Sequence, residues 1–495
     1  MSIYVIVVSL YLFALIGLGA LKAGKVKSQE DFSLAGRGLS TFVLVGTLLA
    51  TWIGTGSVFG NAQKTYQLGV GAFVLPVAGT LGILLLSFLA FRIRRFEGFT
   101  IQDILEKRFG VGARIVGVIT LALAYVIIVS YQYRAGAAVL ERLAPSIAGT
   151  VWPVLIVAFF VIAYTALAGM ISVAYTDVAG GILIVIGIAI ALPILISQAG
   201  GIEAGLEALP QDLQEPSSGY SSLKLINWLL PPFLLILGDA NMYQRFFSAK
   251  TAKVARASAL WLILGIAVIE AAIIATALFG RILVEQGKLT APDNAAHIIV
   301  AISFEVLPPF LGAMLIAVII AIVVSTADSY LLAPATSMVR DVYQRFIAPE
   351  APVRRVVFLG RLIVVILGLI ALWMAFQSDL FFEVSLFAYT VYGATITPVM
   401  LAAFFWPRAT KKGALFGMLA GITVALIWQA LAFHWEGPTV PCVFETWIFG
   451  GLPEKGETHL ITSIDAVLPA LVASSLVLVV VSLLGKAPER GERTI

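Results

Sequence analysis

The chain is poor in charged residues, in histidine and above all in cysteine. Of its 495 residues only 12% are Asp, Glu, Lys or Arg, three are His and one is Cys. A single cysteine, Cys442, excludes an intramolecular disulfide and a thiolate cluster that would hold a metal. A soluble domain carries about 25% charged residues, so this chain lacks the polar groups needed to cover a water-exposed surface.

Apolar residues fill the sequence instead, at 60% of the total and with a mean hydropathy of +1.00. A run of roughly 20 apolar residues crosses about 30 Å of hydrocarbon. The sequence therefore predicts an all-α polytopic protein of the lipid bilayer, a single bundle of thirteen transmembrane helices. These are expected at 3–21, 41–63, 71–91, 112–141, 149–168, 171–197, 223–245, 254–281, 307–344, 355–376, 379–407, 413–435 and 465–485.

The basic residues indicate how this bundle is oriented. Most of the 32 Lys and Arg residues fall in alternate connections, which lie on one side of a thirteen-helix bundle. Cytoplasmic loops of membrane proteins carry such an excess. We expect a cell (inner) membrane protein with the N-terminus outside and the C-terminus in the cytoplasm. The net charge of +4 follows from this topology, and we expect no nucleic-acid partner.

Two segments are interrupted by residues that break helices. The second contains Gly54 and Gly56. The seventh contains Pro231, Pro232 and, less than two turns later, Gly238-Asp239-Ala240-Asn241. Backbone that leaves the helix inside a membrane is tolerated only where it is buried in protein or lines a cavity. Each interrupted segment is the first of a set of five, and the two sets run through the membrane in opposite orientations. This arrangement favours the inverted repeats of a secondary transporter. The alternative is that the glycines are packing contacts and the prolines simple kinks.

This pattern divides the chain into five parts. They are a leading helix and cytoplasmic loop (1–40), a first repeat (41–197), an extracellular loop (198–222), a second repeat (223–407), and two accessory helices with a short cytoplasmic tail (408–495).

Hydroxyl and carboxyl groups share one face of the ninth segment. Ser325, Asp328 and Ser329 stand at i, i+3 and i+4 of a helix, with Thr326 beside them. Asp177 is a second lone acid, in the sixth segment. A charge at the bilayer centre costs about 2.5–3.5 kcal/mol. Oxygen ligands suit hard cations, and unwound helices supply further carbonyls. A single hydroxyl, by contrast, more often bonds to its own helix.

The order and spacing of several motifs resemble the sodium:solute symporter family over residues 1 to about 410. The motifs are Glu30-Asp31-Phe32, Ala35-Gly36-Arg37, Tyr164-Thr165 to Gly169, Tyr175-Thr176-Asp177, Gln244-Arg245, Ser325-Thr326-Ala327-Asp328-Ser329, Asp341-Val342-Tyr343 and Tyr389 to Thr397-Pro398.

The resemblance implies a leucine-transporter-like core with broken first and sixth core helices. It also implies a main sodium site, formed by the carbonyls of Ala50, Ile53 and Ile322 and the hydroxyls of Ser325 and Thr326. A second sodium position, which only some members use, would consist of Asp177, Ser325, Asp328 and Ser329.

The solute is less well defined. Within the family, Ala50-Thr51-Trp52 and Ser325 to Ser329 are most similar to the choline-transporter branch, in which an aromatic cage binds a quaternary ammonium. Residues 238–243, however, lack the tryptophan of that branch. Arg134 would hold a solute carboxylate, pair with Glu141 or Asp239, or extend outward from the helix. The predicted solute-binding residues are Trp52, Arg134, Gln132, Asn241 and Tyr243.

We therefore expect a sodium-coupled importer of a small polar organic solute, such as an amino acid or carboxylate, that works as a monomer by alternating access. The alternatives are a quaternary-amine importer and, from another class, a passive channel. Residues 19–25 fit a phosphate-binding motif, but Val26 replaces the required Ser or Thr and no nucleotide is expected. The core helices supply neither a histidine base nor a metal triad for an enzyme.

Overall fold

The computed structural model describes residues 3–23, 30, 34–96, 98–167, 170–216, 220–377, 381–434 and 464–489. Their regular structure is helical. We number the α-helices α1 Ile3–Ala23, α2 Thr41–Trp52, α3 Ala62–Leu68, α4 Pro76–Phe96, α5 Ile101–Phe109, α6 Val111–Leu143, α7 Trp152–Leu167, α8 Met170–Gln198, α9 Ile202–Glu207, α10 Gln211–Gln214, α11 Ser222–Gly238, α12 Ala240–Ser248, α13 Ala252–Glu285, α14 Ile298–Glu305, α15 Pro309–Ser337, α16 Val353–Ala375, α17 Phe381–Phe405, α18 Lys411–His434 and α19 Val467–Leu484. Two π-helical stretches, Gly56–Asn61 and Met338–Ile347, precede α3 and continue α15.

The helices are long and apolar enough for a multi-pass membrane protein. Among the described residues ten helices pass a length and hydropathy criterion for crossing a bilayer, or eleven if the bent pair Thr41–Trp52 and Gly56–Val74 is one span. The apolar helical stretches Ile3–Ala14 and Trp152–Leu167 are also described, but they are too short to pass this criterion. A helix overlaps each of the thirteen predicted segments, but thirteen crossings remain a prediction.

The first break follows α2 directly. Ile53 leaves the helical conformation with a ψ of 85°, and the Gly54 N–H bonds to the Trp52 carbonyl at 2.9 Å instead of the Ala50 carbonyl four residues back. The two halves of the segment meet at a bend of 53°. A Cβ on Gly54 would lie 3.2 Å from the Thr326 Cγ2. Glycine thus allows the break to approach α15 closely.

The second break lies at Asp239, seven residues beyond the proline pair. The helix α11 continues through Pro231 and Pro232 to Gly238. Asp239 then turns to an extended ψ of 116°, and its carboxylate accepts a hydrogen bond from the Met242 N–H at 2.9 Å. This N-cap satisfies a donor of the new helix α12. The position of the break is therefore set by a capping residue.

A central helix organises the bundle around both breaks. Almost all of α15 beyond its first turn is buried, and it packs against α1, α6 and α8. The helix α2 packs against α8, α11 against α17, and α13 against α4. This arrangement brings the two breaks and the hydroxyl-bearing face of α15 into the middle of the protein.

Candidate functional site

The break after α2 faces the hydroxyl groups of α15. The backbone positions Ala50, Ile53 and Ile322 are each 1% exposed. Thr326 lies beside Gly54, and its buried Oγ1 has no hydrogen-bond partner. The Ser325 Oγ bonds only to the Ile322 carbonyl, at a long 3.4 Å. The five residues predicted to bind sodium are thus buried on two elements that approach each other at Gly54 and Thr326.

A buried arginine occupies the centre of a second polar group, which we call the Arg245 cluster (Arg245, Asp177, Thr47 and Ser329). The Arg245 Nη2 donates to the Asp177 Oδ2 at 3.1 Å and to the Ser329 Oγ at 2.8 Å. Its Nε donates to the Thr47 Oγ1 at 3.0 Å, and that hydroxyl donates to Asp177 at 2.6 Å. The guanidinium therefore neutralises Asp177 and links α2, α8, α12 and α15.

Asp328 lies next to this cluster. Its Oδ1 accepts a hydrogen bond from the Thr165 hydroxyl, and it interacts electrostatically with Asp177. The Asp177 Oδ1 and the Asp328 Oδ2 are buried and have no partner. The residues predicted for a second sodium are thus brought together, but a guanidinium already supplies a cation there.

A third polar group surrounds Glu270 of α13. The Ser57 hydroxyl donates to its Oε1 at 2.6 Å and the Asn61 amide donates to its Oε2 at 2.9 Å, and the Trp52 side chain is a further neighbour that carries an N–H donor. The carboxylate borders a cavity of about 60 Å³, also lined by Trp52, Ser57, Asn61, Trp228, Tyr330, Phe382, Ser385 and Tyr389. We call this space the Glu270 cavity.

An ion pair stands at the rim of the Glu270 cavity. The Lys64 Nζ lies 3.1 Å from the Glu383 Oε1. The same ammonium lies 4.9 Å from the ring centroid of Phe382 and 5.5 Å from that of Trp228. Lys64 and Glu383 both line a larger space of about 430 Å³, which shares Trp228, Phe382 and Leu386 with the cavity. The pair therefore lies in the larger space, beside the aromatic residues Trp228 and Phe382 that both spaces share.

The five predicted solute-binding residues do not all meet. Trp52 lines the Glu270 cavity. Gln132 is fully buried near Gly54 with both amide atoms unpaired, and the Asn241 side chain is likewise buried and unpaired. The Tyr243 hydroxyl donates to the Leu237 carbonyl at 3.1 Å across the second break. Arg134 is partly exposed on α6 and has Glu141 as a charged neighbour.

Several residues of these groups were not singled out from the sequence. Ser57 and Asn61 stand four residues apart, the spacing of one helix face, and this was the available signal. Their partner Glu270 is more than 200 residues away along the chain. Arg245 and Thr165 were recognised only as parts of motifs, and Thr47 carried no separate signal.

Comparison with known proteins agrees with the helical architecture. Residues 32–421 match the sodium:solute symporter family. The sodium/proline symporter of Escherichia coli (strain K12) is 25% identical over 500 residues, which cover 97% of this chain and 92% of that protein. The high-affinity proline transporter of Bacillus subtilis (strain 168) is 28% identical over 436 residues, covering 84% of this chain and 89% of that protein.

Solved structures of similar fold are also transporters. A sodium-coupled sialic acid symporter in a substrate-bound outward-open state aligns with a TM-score of 0.80 at 16% identity, covering 99% of both chains. A nucleobase-cation-symport-1 family transporter in a closed conformation aligns with a TM-score of 0.59 at 12% identity, covering 93% of this chain and 96% of the other. The fold of this chain is thus leucine-transporter-like.

Proposed function

The chain belongs to the sodium:solute symporter family, and on that premise we propose that it imports an amino-acid-like solute with sodium across the cell (inner) membrane. Membership makes it a multi-pass transporter that couples sodium to a small organic solute, and not an enzyme. The solute class is supported by the relatives, which are proline transporters. Neither the quaternary-amine alternative nor the passive channel is favoured by these relatives.

We place the coupling sodium at the break after α2. The unpaired Thr326 Oγ1 beside Gly54 is the observation that carries this assignment. Thr326 and Ser325 would contribute hydroxyl oxygens, and Ala50, Ile53 and Ile322 would contribute carbonyls. A buried hydroxyl without a partner loses the hydrogen bonds it would make to water, so an ion that coordinates it removes that cost.

Sodium at this position would join a broken helix to α15. Because α2 and α15 must be held together for all five oxygens to reach one ion, bound sodium favours one arrangement of the two helices over others. That differential affinity is what alternating access requires for coupling. The division into two five-helix repeats, 41–197 and 223–407, is part of the same proposal.

The direction of import follows from the proposed topology. With the basic connections in the cytoplasm, the start of α2 is cytoplasmic, and the chain beyond the break runs toward the outside. The Glu270 cavity and the larger space lined by Lys64 and Glu383 then lie on the extracellular side of the sodium region. A solute arriving from outside would reach the cavity before it met the Arg245 cluster.

A second sodium at Asp177, Asp328 and Ser329 would compete with the Arg245 guanidinium. Asp177, Asp328 and Ser329 offer oxygen atoms, two of them unpaired. However, Arg245 bonds to both Asp177 and Ser329. An ion would bind there only if the guanidinium moved away, so we favour one sodium per cycle for the arrangement described.

Uptake into proteoliposomes tests the sodium site. We expect an inward sodium gradient, but not a potassium gradient, to drive accumulation of L-proline or another small amino acid. Replacing Ser325 and Thr326 together with Ala should raise the half-saturating sodium concentration about tenfold or more, the scale of one or two lost contacts to a charge.

A matched control carries Ser303→Ala and Thr276→Ala. Both hydroxyls are buried, but each bonds to a carbonyl of its own helix at 2.8 Å. The control should keep the sodium dependence of the wild type. An unchanged sodium curve in the Ser325/Thr326 variant would remove the site assignment, and uptake that never exceeds equilibrium would favour a channel.

A further inference from the structure

We infer that Glu270 recognises a protonated primary or secondary amine, so that the solute of this transporter carries such a group. The inference deepens the proposed function and rests on it. It concerns a residue of α13 that no sodium-site assignment uses. Its basis is the charge, the hydrogen bonding and the walls of the Glu270 cavity.

The charge of the cavity is unbalanced. Of the described residues that line it, Glu270 is the only Asp, Glu, Lys, Arg or His. Glu270 is 3% exposed, and none of the basic side chains that the structure describes lies within ion-pair distance of it. An ionised carboxylate in a membrane bundle is costly without a cation. A positively charged ligand is therefore the electrostatic complement of this space.

The hydrogen bonds around Glu270 leave room for one more donor. An ionised carboxylate offers about four acceptor positions. Ser57, Asn61 and Trp52 provide three neighbouring donors. A protonated amine supplies a fourth N–H together with the missing positive charge. Sodium is a poorer fit because these neighbours direct hydrogens at the carboxylate, whereas a hard cation needs several oxygen ligands.

The walls of the cavity also suit an ammonium group. Trp52, Trp228, Phe382 and Tyr389 contribute aromatic rings, whose faces attract cations. At the rim, the Lys64 ammonium already lies over the rings of Phe382 and Trp228. The volume of about 60 Å³ is small. It fits the amino end of a solute whose remainder extends toward the larger space.

Matched pairs of solutes test the inference on the wild-type protein. Each pair replaces nitrogen by oxygen: L-proline and tetrahydro-2-furoate, L-alanine and L-lactate, L-phenylalanine and phenyllactate. Binding is measured as sodium-dependent thermal stabilisation of the purified protein, and transport as sodium-driven uptake. For the pair whose size fits the binding site, the amine should bind about tenfold tighter or more than its oxygen analogue. This is the scale of a hydrogen bond to a charged group.

Variants then assign the preference to Glu270. Glu270→Gln keeps the shape and removes the charge, so the preference for the amine should fall to about threefold or less while sodium dependence persists. Glu285→Gln on the same helix is the matched control, because Glu285 pairs with Arg281 outside the cavity. Should Glu270→Gln not fold, Glu270→Asp and the wild-type solute pairs still decide the question.

The outcomes separate this inference from the proposed function. Sodium-driven uptake of a sugar or carboxylate, with no preference for an amine, overturns the inference and leaves the symporter standing. An undiminished amine preference in Glu270→Gln also overturns it. Failure of every solute to be taken up on a sodium gradient overturns the proposed function itself, and the inference with it.

Discussion

Two acidic side chains are buried on either side of the break after α2, and their charges are met in different ways. Thr47, before the break, donates to Asp177, which also pairs with Arg245. Ser57, after the break, donates to Glu270, whose hydrogen-bonding neighbours among the described residues are all neutral. One acid thus carries its own cation within the chain. For Glu270, a bound ligand would supply the positive charge.

The difference teaches how one broken helix serves two purposes. Buried ion pairs are expensive to form but strongly destabilising to break by removing one partner. The Arg245 cluster therefore holds α2, α8, α12 and α15 together on one side of the sodium region. Glu270 has neutral hydrogen-bond donors around it and forms no ion pair with the described basic residues. A ligand cation that binds to Glu270 therefore displaces none of them.

Removing Arg245 should have the largest effect. Arg245→Met leaves Asp177 buried without a cation, and we expect a loss of about 3–5 kcal/mol of stability, the scale for breaking a buried pair. The thermal midpoint of the purified protein should fall accordingly. Adding Asp177→Asn to this variant removes the unpaired charge and should recover much of the loss.

The same variant sharpens the proposal for a second sodium. With the guanidinium gone, the oxygens of Asp177, Asp328 and Ser329 are free to bind an ion. Sodium should then stabilise Arg245→Met more than it stabilises the wild type, whereas potassium should not. A variant as stable as the wild type without sodium would mean that Arg245 does not compensate Asp177.

Neutralising Glu270 should change stability far less. Glu270→Gln leaves no basic side chain unpaired and keeps most of the shape, so the solute-free protein should stay within about 1 kcal/mol of the wild type, as for a hydrogen bond altered without stranding a charge. Thermal unfolding with and without sodium measures this. A loss of stability as large as that of Arg245→Met would show that Glu270 stabilises the fold. Glu270 and Asp177 would then not differ in the way described.

Much of the fold was predictable because it depends on local composition. Apolar length gave the helices, and Gly54 marked the first break because its N–H leaves the helical ladder there. The second break was placed less closely, since Pro231 and Pro232 remain inside α11 while Asp239 caps the next helix. A local sequence pattern shows that a helix-breaking residue is present. It does not show at which of several such residues the packed helix ends.

The candidate site was predictable in part for the same reason. Ser325, Asp328 and Ser329 were found because they repeat on one helix face. The partners of Glu270 and Asp177 were not, because their contacts join distant segments. Residues 56–61 are also π-helical, so an α-helical face does not describe where Ser57 and Asn61 point. Arg134 was singled out for its charge, and its partial exposure on α6 near Glu141 agrees with two of the alternatives given for it, pairing with Glu141 and extending outward from the helix.

The smallest effect is expected at the rim of the Glu270 cavity. The ion pair of Lys64 and Glu383 is partly exposed, with side-chain exposures of 13% and 43%. Such pairs contribute about 0.2–1 kcal/mol, up to roughly fivefold in an equilibrium. Replacing them together by Met and Gln should leave overall stability nearly unchanged. It should also make the cavity easier to enter from the larger space.

Cysteine labelling measures that change. In a Cys442→Ser background, Ser385→Cys places one thiol at the cavity wall, and a charged thiol reagent added from outside should react about two- to fivefold faster once the rim pair is neutralised. Neutralising Arg281 and Glu285, a pair on α13 away from the cavity, is the control and should leave the rate unchanged. A labelling rate that stays the same when Lys64 and Glu383 are replaced would show that this pair does not govern access to the cavity. Glu270 would then be reached by another route, although it would still form no ion pair with the basic residues that the structure describes.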